Sequence, residues 1–175
     1  VLGTARQIAE TYGVVTDKWN GFNVLHTAAA RVAGLDMGFV PDRGGMDIAA
    51  MAAAAKVGSL DVLWSLGADE INYADFVSSF VIYQGHHGDA GAHHADVVLP
   101  GAAYTEKDGI YLNTEGRVQY ANRATFPPGE AREDWAIIRA VSSAIGKSIG
   151  MDSLAEGREA LYEVSPHFAI PDQIG

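Results

Sequence analysis

The sequence predicts an α/β fold: a doubly wound, mainly parallel sheet flanked by helices, with a small antiparallel hairpin beside it. Three features point there. Val62 to Leu66, Phe80 to Tyr83 and Asp96 to Leu99 are short apolar runs without the alternation of a strand wetted on one face, so they read as buried parallel strands. The intervals between them, Gly67 to Ser79 and Gln84 to Ala95, are each about as long as the dozen residues a parallel crossover needs. Beyond Pro100, Ile110 to Leu112 and Val118 to Tyr120 flank Asn113, Thr114, Glu115, Gly116 and Arg117, the pattern of a hairpin.

The remaining elements follow from spacing and caps. Ala5, Ile8, Ala9 and Tyr12 fall at helical intervals within Thr4 to Tyr12, and Gly13 stands where a C-terminal cap belongs. Leu25, Ala28, Ala29 and Val32 form a stripe that predicts a short helix from Val24 to Val32, with His26 beside it as an ordinary packed or exposed histidine. Asp47 precedes an Ala-rich helix running to Lys56 and ended by Gly58; its carboxylate can accept the free N–H groups of the first turn. That helix is small and apolar on nearly every side, which predicts burial against a sheet. After Pro127, Pro128 and Gly129, the residues Trp135, Ile138, Val141 and Ile145 line a helix closed by Gly146. Ser153 and Glu156 fit a capping box at the start of a last helix that ends before Pro166. One domain, or part of one, is expected over residues 1–165, with 166–175 a tail or linker of a larger subunit.

Composition narrows the chemistry. Twelve Lys and Arg against 22 Asp and Glu give a formal charge of −10, unsuited to nucleic acid or anionic lipid. No apolar run reaches the roughly 20 residues of a membrane helix. With Cys 0, the chain itself can build neither a disulfide nor a thiolate-held zinc or iron-sulfur cluster. The chain starts at Val1 with no signal-peptide pattern before Gly13, as an excised or processed piece would.

The conspicuous stretch is Gln84 to Asp96, QGHHGDAGAHHAD, with His86, His87, His93, His94, Asp89 and Asp96 near a strand end, where open α/β sheets bind ligands. Imidazole with carboxylate suits Zn, Fe or Ni. Adjacent histidines point apart in most backbone conformations, however, and no HExxH spacing sets two imidazoles on one helical face. Gly85, Gly88 and Gly91 are spaced G-x-x-G-x-x-G, not the dinucleotide fingerprint G-x-G-x-x-G. Glu106, Asp108 and Glu115 could be an acid/base set, but a solvated loop face paired with Lys107 or Arg117 is the simpler reading. Asn113 and Arg117 read as turn and inter-strand hydrogen-bonding residues. No catalytic, cofactor-binding or metal-binding residue is therefore expected in this segment.

Tyr83 to Gln119, YQGHHGDAGAHHADVVLPGAAYTEKDGIYLNTEGRVQ, followed by PPGEAREDWAIIRA from Pro127 to Ala140, closely resembles the C-terminal region of the large iron-sulfur subunits of respiratory complex I (NADH-quinone oxidoreductase). Ala95 to Gln119 is also similar to molybdopterin oxidoreductases at large; Gln84 to Asp89 and Ala131 to Trp135 favour the complex I branch, and Leu66 to Asp69, LGAD, fits as an upstream strand end. The resemblance implies a molybdopterin-oxidoreductase-like fold used structurally, without a cofactor in this segment. It further implies iron-sulfur clusters in upstream Cys-rich modules, and a place in the peripheral arm on the cytoplasmic or matrix side, beside other arm subunits. His93 and His94 stand where many members carry an apolar pair, so no family role transfers to them; His86 and His87 match the pattern and are expected to be architectural. The alternative implied is the cofactor-binding part of an active molybdopterin oxidoreductase, with Gly67 to Glu70 and Gln84 to Asp89 touching the pterin nucleotide.

Overall fold

Local sequence and tertiary packing together decide the N-terminal third. The computed structural model describes residues 1–172. Helix α1 spans Leu2–Thr11, and Gly13 follows it with φ +68°, a conformation that favours glycine. Two short strands not foreseen from sequence, β1 (Val15–Thr16) and β2 (Trp19–Asn20), then pair antiparallel. The helix expected from Val24 to Val32 is displaced: α2 spans Arg31–Asp36. A short isolated helix is marginal without packing. Leu25 is exposed, whereas Val32 and Ala33 pack against Leu112, Val118 and Phe168, so the chain coils where the contacts are.

Helix α3, Ile48–Lys56, starts as the sequence predicts, with Asp47 accepting the Ala50 N–H at 2.8 Å. It covers the sheet with one edge only: Ala55 is fully buried and Met51 and Ala52 partly, while Ile48 stays exposed. The parallel sheet consists of β3 (Val62–Leu66), β4 (Phe80–Gly85) and β5 (Val97–Pro100), in that order. Val62 pairs with Phe80, Leu66 with Gln84, and Ile82 with Val97. The crossovers contain a 3₁₀ turn, Tyr73–Phe76, and helix α4, Ala90–His94. Leu63 and Val81 project towards Ala55, Tyr73 and Phe76, which form the first core.

The strands are parallel, as the apolar runs predict, but their burial on both faces is not observed. Along β3 exposure alternates strictly, and Val62, Trp64 and Leu66 lie open. Apolar character on both faces of a strand reports what it can bury, which here exceeds what these residues cover.

The predicted hairpin is β6 (Gly109–Leu112) paired antiparallel with β7 (Val118–Ala121). Asn113 shapes its turn, its side-chain oxygen accepting from the N–H groups of Glu115 (3.0 Å) and Arg117 (2.9 Å). Helix α5 spans Asp134–Ala144; it buries Ile137 and Ser142, while Trp135, Ile138 and Val141 of the predicted stripe are half-buried and Ile145 is exposed. Helix α6 spans Leu154–Val164. Ser153 accepts the Glu156 N–H at 3.2 Å, while the Glu156 carboxylate takes the N–H of Asp152, one residue earlier than a reciprocal box would place it.

The boundary expected at residue 165 runs through packed structure. Pro166–Ala169 is a 3₁₀ turn, Phe168 is 1% exposed within the second core of Ala33, Leu112 and Val118, and the Asp172 N–H donates to Val118 at 2.8 Å. Phe168 packs in the core and His167 lies 2.7 Å from Asp36, contacts with distant residues that leave no periodicity to read from sequence. Residues 173–175 of the expected tail lie outside the described residues.

Candidate functional site

Ligands of open α/β sheets gather beyond the carboxyl ends of the strands, which here are Gly67 to Glu70 after β3 and His86 to Asp89 after β4. Tyr83, near the end of β4, is 1% exposed and turned towards α4. Its hydroxyl donates to Asp69 Oδ2 at 3.0 Å. Beside it the hydroxyls of Ser65 and Tyr73 lie 2.6 Å apart and share the Ala68 carbonyl, at 3.0 and 2.6 Å. Burial pushes the Tyr83 phenol up from its ordinary value, and the hydrogen bond to Asp69 and the charge of that carboxylate push it the same way. Tyr73 is also raised, by burial, against the lowering effect of its bond to Ser65. Asp69 Oδ1 is sealed from solvent with no donor in reach.

This plug explains the glycine spacing. A Cβ on Gly85 would lie 2.4 Å from the Tyr83 hydroxyl oxygen, and one on Gly91 would lie 2.5 Å from the Tyr83 ring. Gly88, between them, has open space around it. Two of the three glycines are thus needed for the tyrosine of the same chain. The sequence carried the signal in Tyr83 and in the Asp of LGAD, but only the fold brings them together.

The histidines do not converge. His86 and His87 meet edge to face, ring centroids 4.3 Å apart, at a cleft of about 490 Å³ whose charged lining residues are Glu106 and Glu130. His94 turns back to the Ala90 carbonyl, 2.9 Å away, and stacks on Tyr73; His93 is exposed. Asp96 pins β4, accepting the Val81 N–H at 2.8 Å. Among the described residues, no three His, Asp or Glu side chains are grouped to hold a metal ion.

The other carboxylates serve the local framework. Glu106 accepts the Ala103 N–H (2.9 Å), Asp108 accepts the Arg123 N–H (2.8 Å), and Glu115 pairs with Arg117 (3.3 Å). Lys107 turns elsewhere, to an ion pair with Asp134, which also accepts from the Gln84 side chain at 2.9 Å. That trio, missed in the sequence, ties the end of β4 to the start of α5 across 50 residues.

Fold and site together define a small parallel α/β unit in which a tyrosine and a carboxylate of the same chain are packed together at the ends of β3 and β4. The chain belongs to the molybdopterin oxidoreductase family, whose profile matches residues 1–144. It is 49% identical over 91% of its length to a mitochondrial NADH-ubiquinone oxidoreductase 78 kDa subunit of Neurospora crassa, covering 20% of that protein. It is 43% identical over 99% of its length to an NADH-quinone oxidoreductase subunit of Rickettsia conorii, covering 24% of it. With an NADH-ubiquinone oxidoreductase 75 kDa subunit of Reclinomonas americana the identity is 44%, over 88% of this chain and 22% of that one. The chain therefore spans about a quarter or less of the relatives it matches. Among solved structures, acetylene hydratase of Pelobacter acetylenicus aligns with a TM-score of 0.49 and 19% identity over 57% of this chain and 16% of that one.

The family's name implies a pterin cofactor, and the ends of β3 and β4 are where an open α/β sheet would meet one. The cradle that Gly85 and Gly91 could offer is filled by Tyr83. The neighbouring cleft is lined by His86, His87 and the carboxylates of Glu106, which accepts the Ala103 N–H, and Glu130, which pairs with Arg132.

Proposed function

We propose that this chain is a structural and interaction region of the large iron-sulfur subunit of complex I, supporting NADH-to-quinone electron transfer by clusters held outside it. The observation that carries this reading is the similarity, over 88–99% of the chain, to proteins named as NADH-quinone or NADH-ubiquinone oxidoreductase subunits. The Tyr83–Asp69 pair supports it, because it fills with the chain's own side chains the space beside Gly85 and Gly91 that a ligand would need. The partners are then the other subunits of the peripheral arm and the upstream modules of the same subunit, on the bacterial cytoplasmic or mitochondrial matrix side. No helix among the described residues is long and apolar enough to cross a membrane.

A second reading, the cofactor-binding part of an active molybdopterin oxidoreductase, draws on the family match alone. Elemental analysis of the full-length polypeptide containing this segment separates the two. Iron without molybdenum or tungsten is the expected result; stoichiometric molybdenum or tungsten would overturn the structural reading.

A further inference from the structure

A backbone nitrogen attacks the side-chain carbonyl of the residue before it most readily when that nitrogen belongs to glycine, which has no Cβ to shield it. The sequence holds one Asn-Gly pair, Asn20 with Gly21, and one Asp-Gly pair, Asp108 with Gly109. The fold treats the two differently. Asp108 accepts the Arg123 N–H at 2.8 Å, and Gly109 opens β6 opposite Ala121. That hairpin carries Leu112 and Val118 into the second core, so the Gly109 backbone moves only if the core gives way.

Asn20 ends the exposed two-residue ribbon of β1 and β2. Trp19 beside it is 68% exposed, and no residue of the ribbon belongs to either core. An isolated ribbon of this kind is marginal in water. The Val14 N–H donates to the Ala9 carbonyl at 2.8 Å, the Gly21 N–H donates to the Val14 carbonyl at 2.9 Å, and the Arg6 guanidinium lies 5.8 Å from the centre of the Phe22 ring. Packing also requires the glycine, since a Cβ on Gly21 would lie 2.8 Å from Val14 Cγ1 and 2.9 Å from Trp19 Nε1. Asn20 Oδ1 accepts the Phe22 N–H at 3.2 Å, which folds the side chain forward along the Gly21 peptide and draws electron density from Cγ. The bond to Val14 is then what restrains the nucleophile, and bonds in exposed, weakly packed segments open at little cost.

We propose that Asn20 is a site of spontaneous deamidation and that its conversion unpicks the ribbon from α1. Once the bond to Val14 opens, the Gly21 nitrogen gives its proton to a solvent base and bonds to Asn20 Cγ. The Cγ–Nδ2 bond breaks, and ammonia leaves with a proton returned by solvent. Water then opens the five-membered imide. Addition at Cγ breaks the new bond and leaves aspartate; addition at the main-chain carbonyl carbon breaks the original peptide link and leaves isoaspartate, its backbone longer by a methylene. Water is the only co-reactant. Either product adds negative charge to a chain already at −10. In isoaspartate the extra methylene falls between the Val15–Asn20 pair and the Gly21–Val14 bond, which cannot then both keep register.

The test ages the full-length polypeptide in its native assembly in mildly alkaline buffer and follows aspartate and isoaspartate by peptide mass spectrometry, with enzymatic carboxyl methylation marking the isoaspartate. Asn20 is expected to convert within about tenfold of its rate in a free peptide of the same sequence, whereas isoaspartate at Asp108 forms at least about 100-fold more slowly than in its own peptide. Asn20→Gln, whose six-membered imide closes far more slowly, removes the signal without a change of charge. Asn20 slowed by about 100-fold or more in the assembly would overturn the proposal, whether its own bonds or a covering surface protected it. In the aged fraction the amides of Val14 and Gly21 are expected to lose protection from hydrogen exchange while β6 and β7 keep theirs. Unchanged exchange at Gly21 would overturn the link between conversion and the ribbon.

Discussion

The two cores of the molecule are built from opposite kinds of contact. The sheet core, Ala55, Leu63, Tyr73, Phe76 and Val81, comes from one stretch of chain, whereas the hairpin core joins Ala33 to Leu112, Val118 and Phe168 across most of the sequence. Tyr120 strengthens the second, its hydroxyl donating to the Phe168 carbonyl at 2.9 Å and lying 3.0 Å from the Tyr162 hydroxyl. Long-range closure of this kind costs chain entropy before contacts repay it. A core assembled from distant pieces therefore depends heavily on each anchor, and Phe168 is the anchor nearest the chain end.

Truncating that anchor gives the largest expected effect. Phe168→Ala leaves a cavity in a fully buried site and costs about 3–5 kcal/mol, releasing residues 166–172 from the hairpin. Phe76→Ala removes a comparable side chain from the sheet core at a similar cost. Chemical denaturation gives the size, and limited proteolysis gives the place. The first variant is expected to be cut early near the hairpin and its C-terminal flank, the second near the 3₁₀ turn. Identical cleavage patterns would mean that the two cores melt as one.

The next effect tests the plug in the sheet unit. Gly91→Ala presses a methyl group into the Tyr83 ring and costs about 1–3 kcal/mol, while Gly88→Ala meets open space and changes stability little. Adding Tyr83→Leu to Gly91→Ala recovers part of the loss. Equal sensitivity at Gly88 and Gly91 would instead favour a backbone cradle for a ligand over room for a tyrosine.

The same contrast between cores governs what the sequence made legible. Parallel strands, crossovers and the Asp47 cap are local patterns, and the strands and cap fell close to where the residues put them. The sheet core is local too, so it could be read. Phe168 sits in a stretch with no periodicity, and its burial depends on Leu112 and Val118 lying beneath it. Helix α2 moved for a related reason, because Ala33, not Leu25, finds a partner. At the candidate site the residue types were visible but not the pairings. The fold sets His86 against His87, turns His94 back to Ala90, and joins Tyr83 to Asp69 and Gln84 to Asp134, pairings that no spacing in the sequence announces.

Alkaline titration probes Tyr83 through its own variant, since Tyr120 in the hairpin unit is raised as well, chiefly by its hydrogen bond with Tyr162. The folded state holds the Tyr83 proton more tightly than the unfolded chain does. Its contribution is complete below the ordinary tyrosine value of about 10 and is lost as pH rises from there towards the raised folded value, at up to about 1.4 kcal/mol per pH unit. Stability of the parent protein is therefore expected to fall more steeply above pH ~10 than that of Tyr83→Phe, as followed by denaturation at a series of pH values. Parallel curves would mean that the Tyr83 proton is no better held in the folded state.

The helix caps provide the smallest probe, one in each unit. Asp47 accepts a single N–H at the start of α3, and Ser153 accepts one at the start of α6 with Glu156 closing on Asp152. Replacing either with alanine is expected to cost about 1 kcal/mol. The consequences should differ in reach. Helix α3 supplies the fully buried Ala55 to the sheet core, so Asp47→Ala should loosen amides along α3 and β3 together. Helix α6 has no fully buried residue and meets the hairpin core through the partly buried Leu161 and Tyr162, towards the end opposite its cap. Ser153→Ala should therefore fray the first turn and leave β6 and β7 protected, because a helix end far from its anchoring contacts can open without disturbing them. Hydrogen exchange resolved by segment checks both, and loss of protection in the hairpin of Ser153→Ala would show that α6 is held more tightly along its length than its packing indicates.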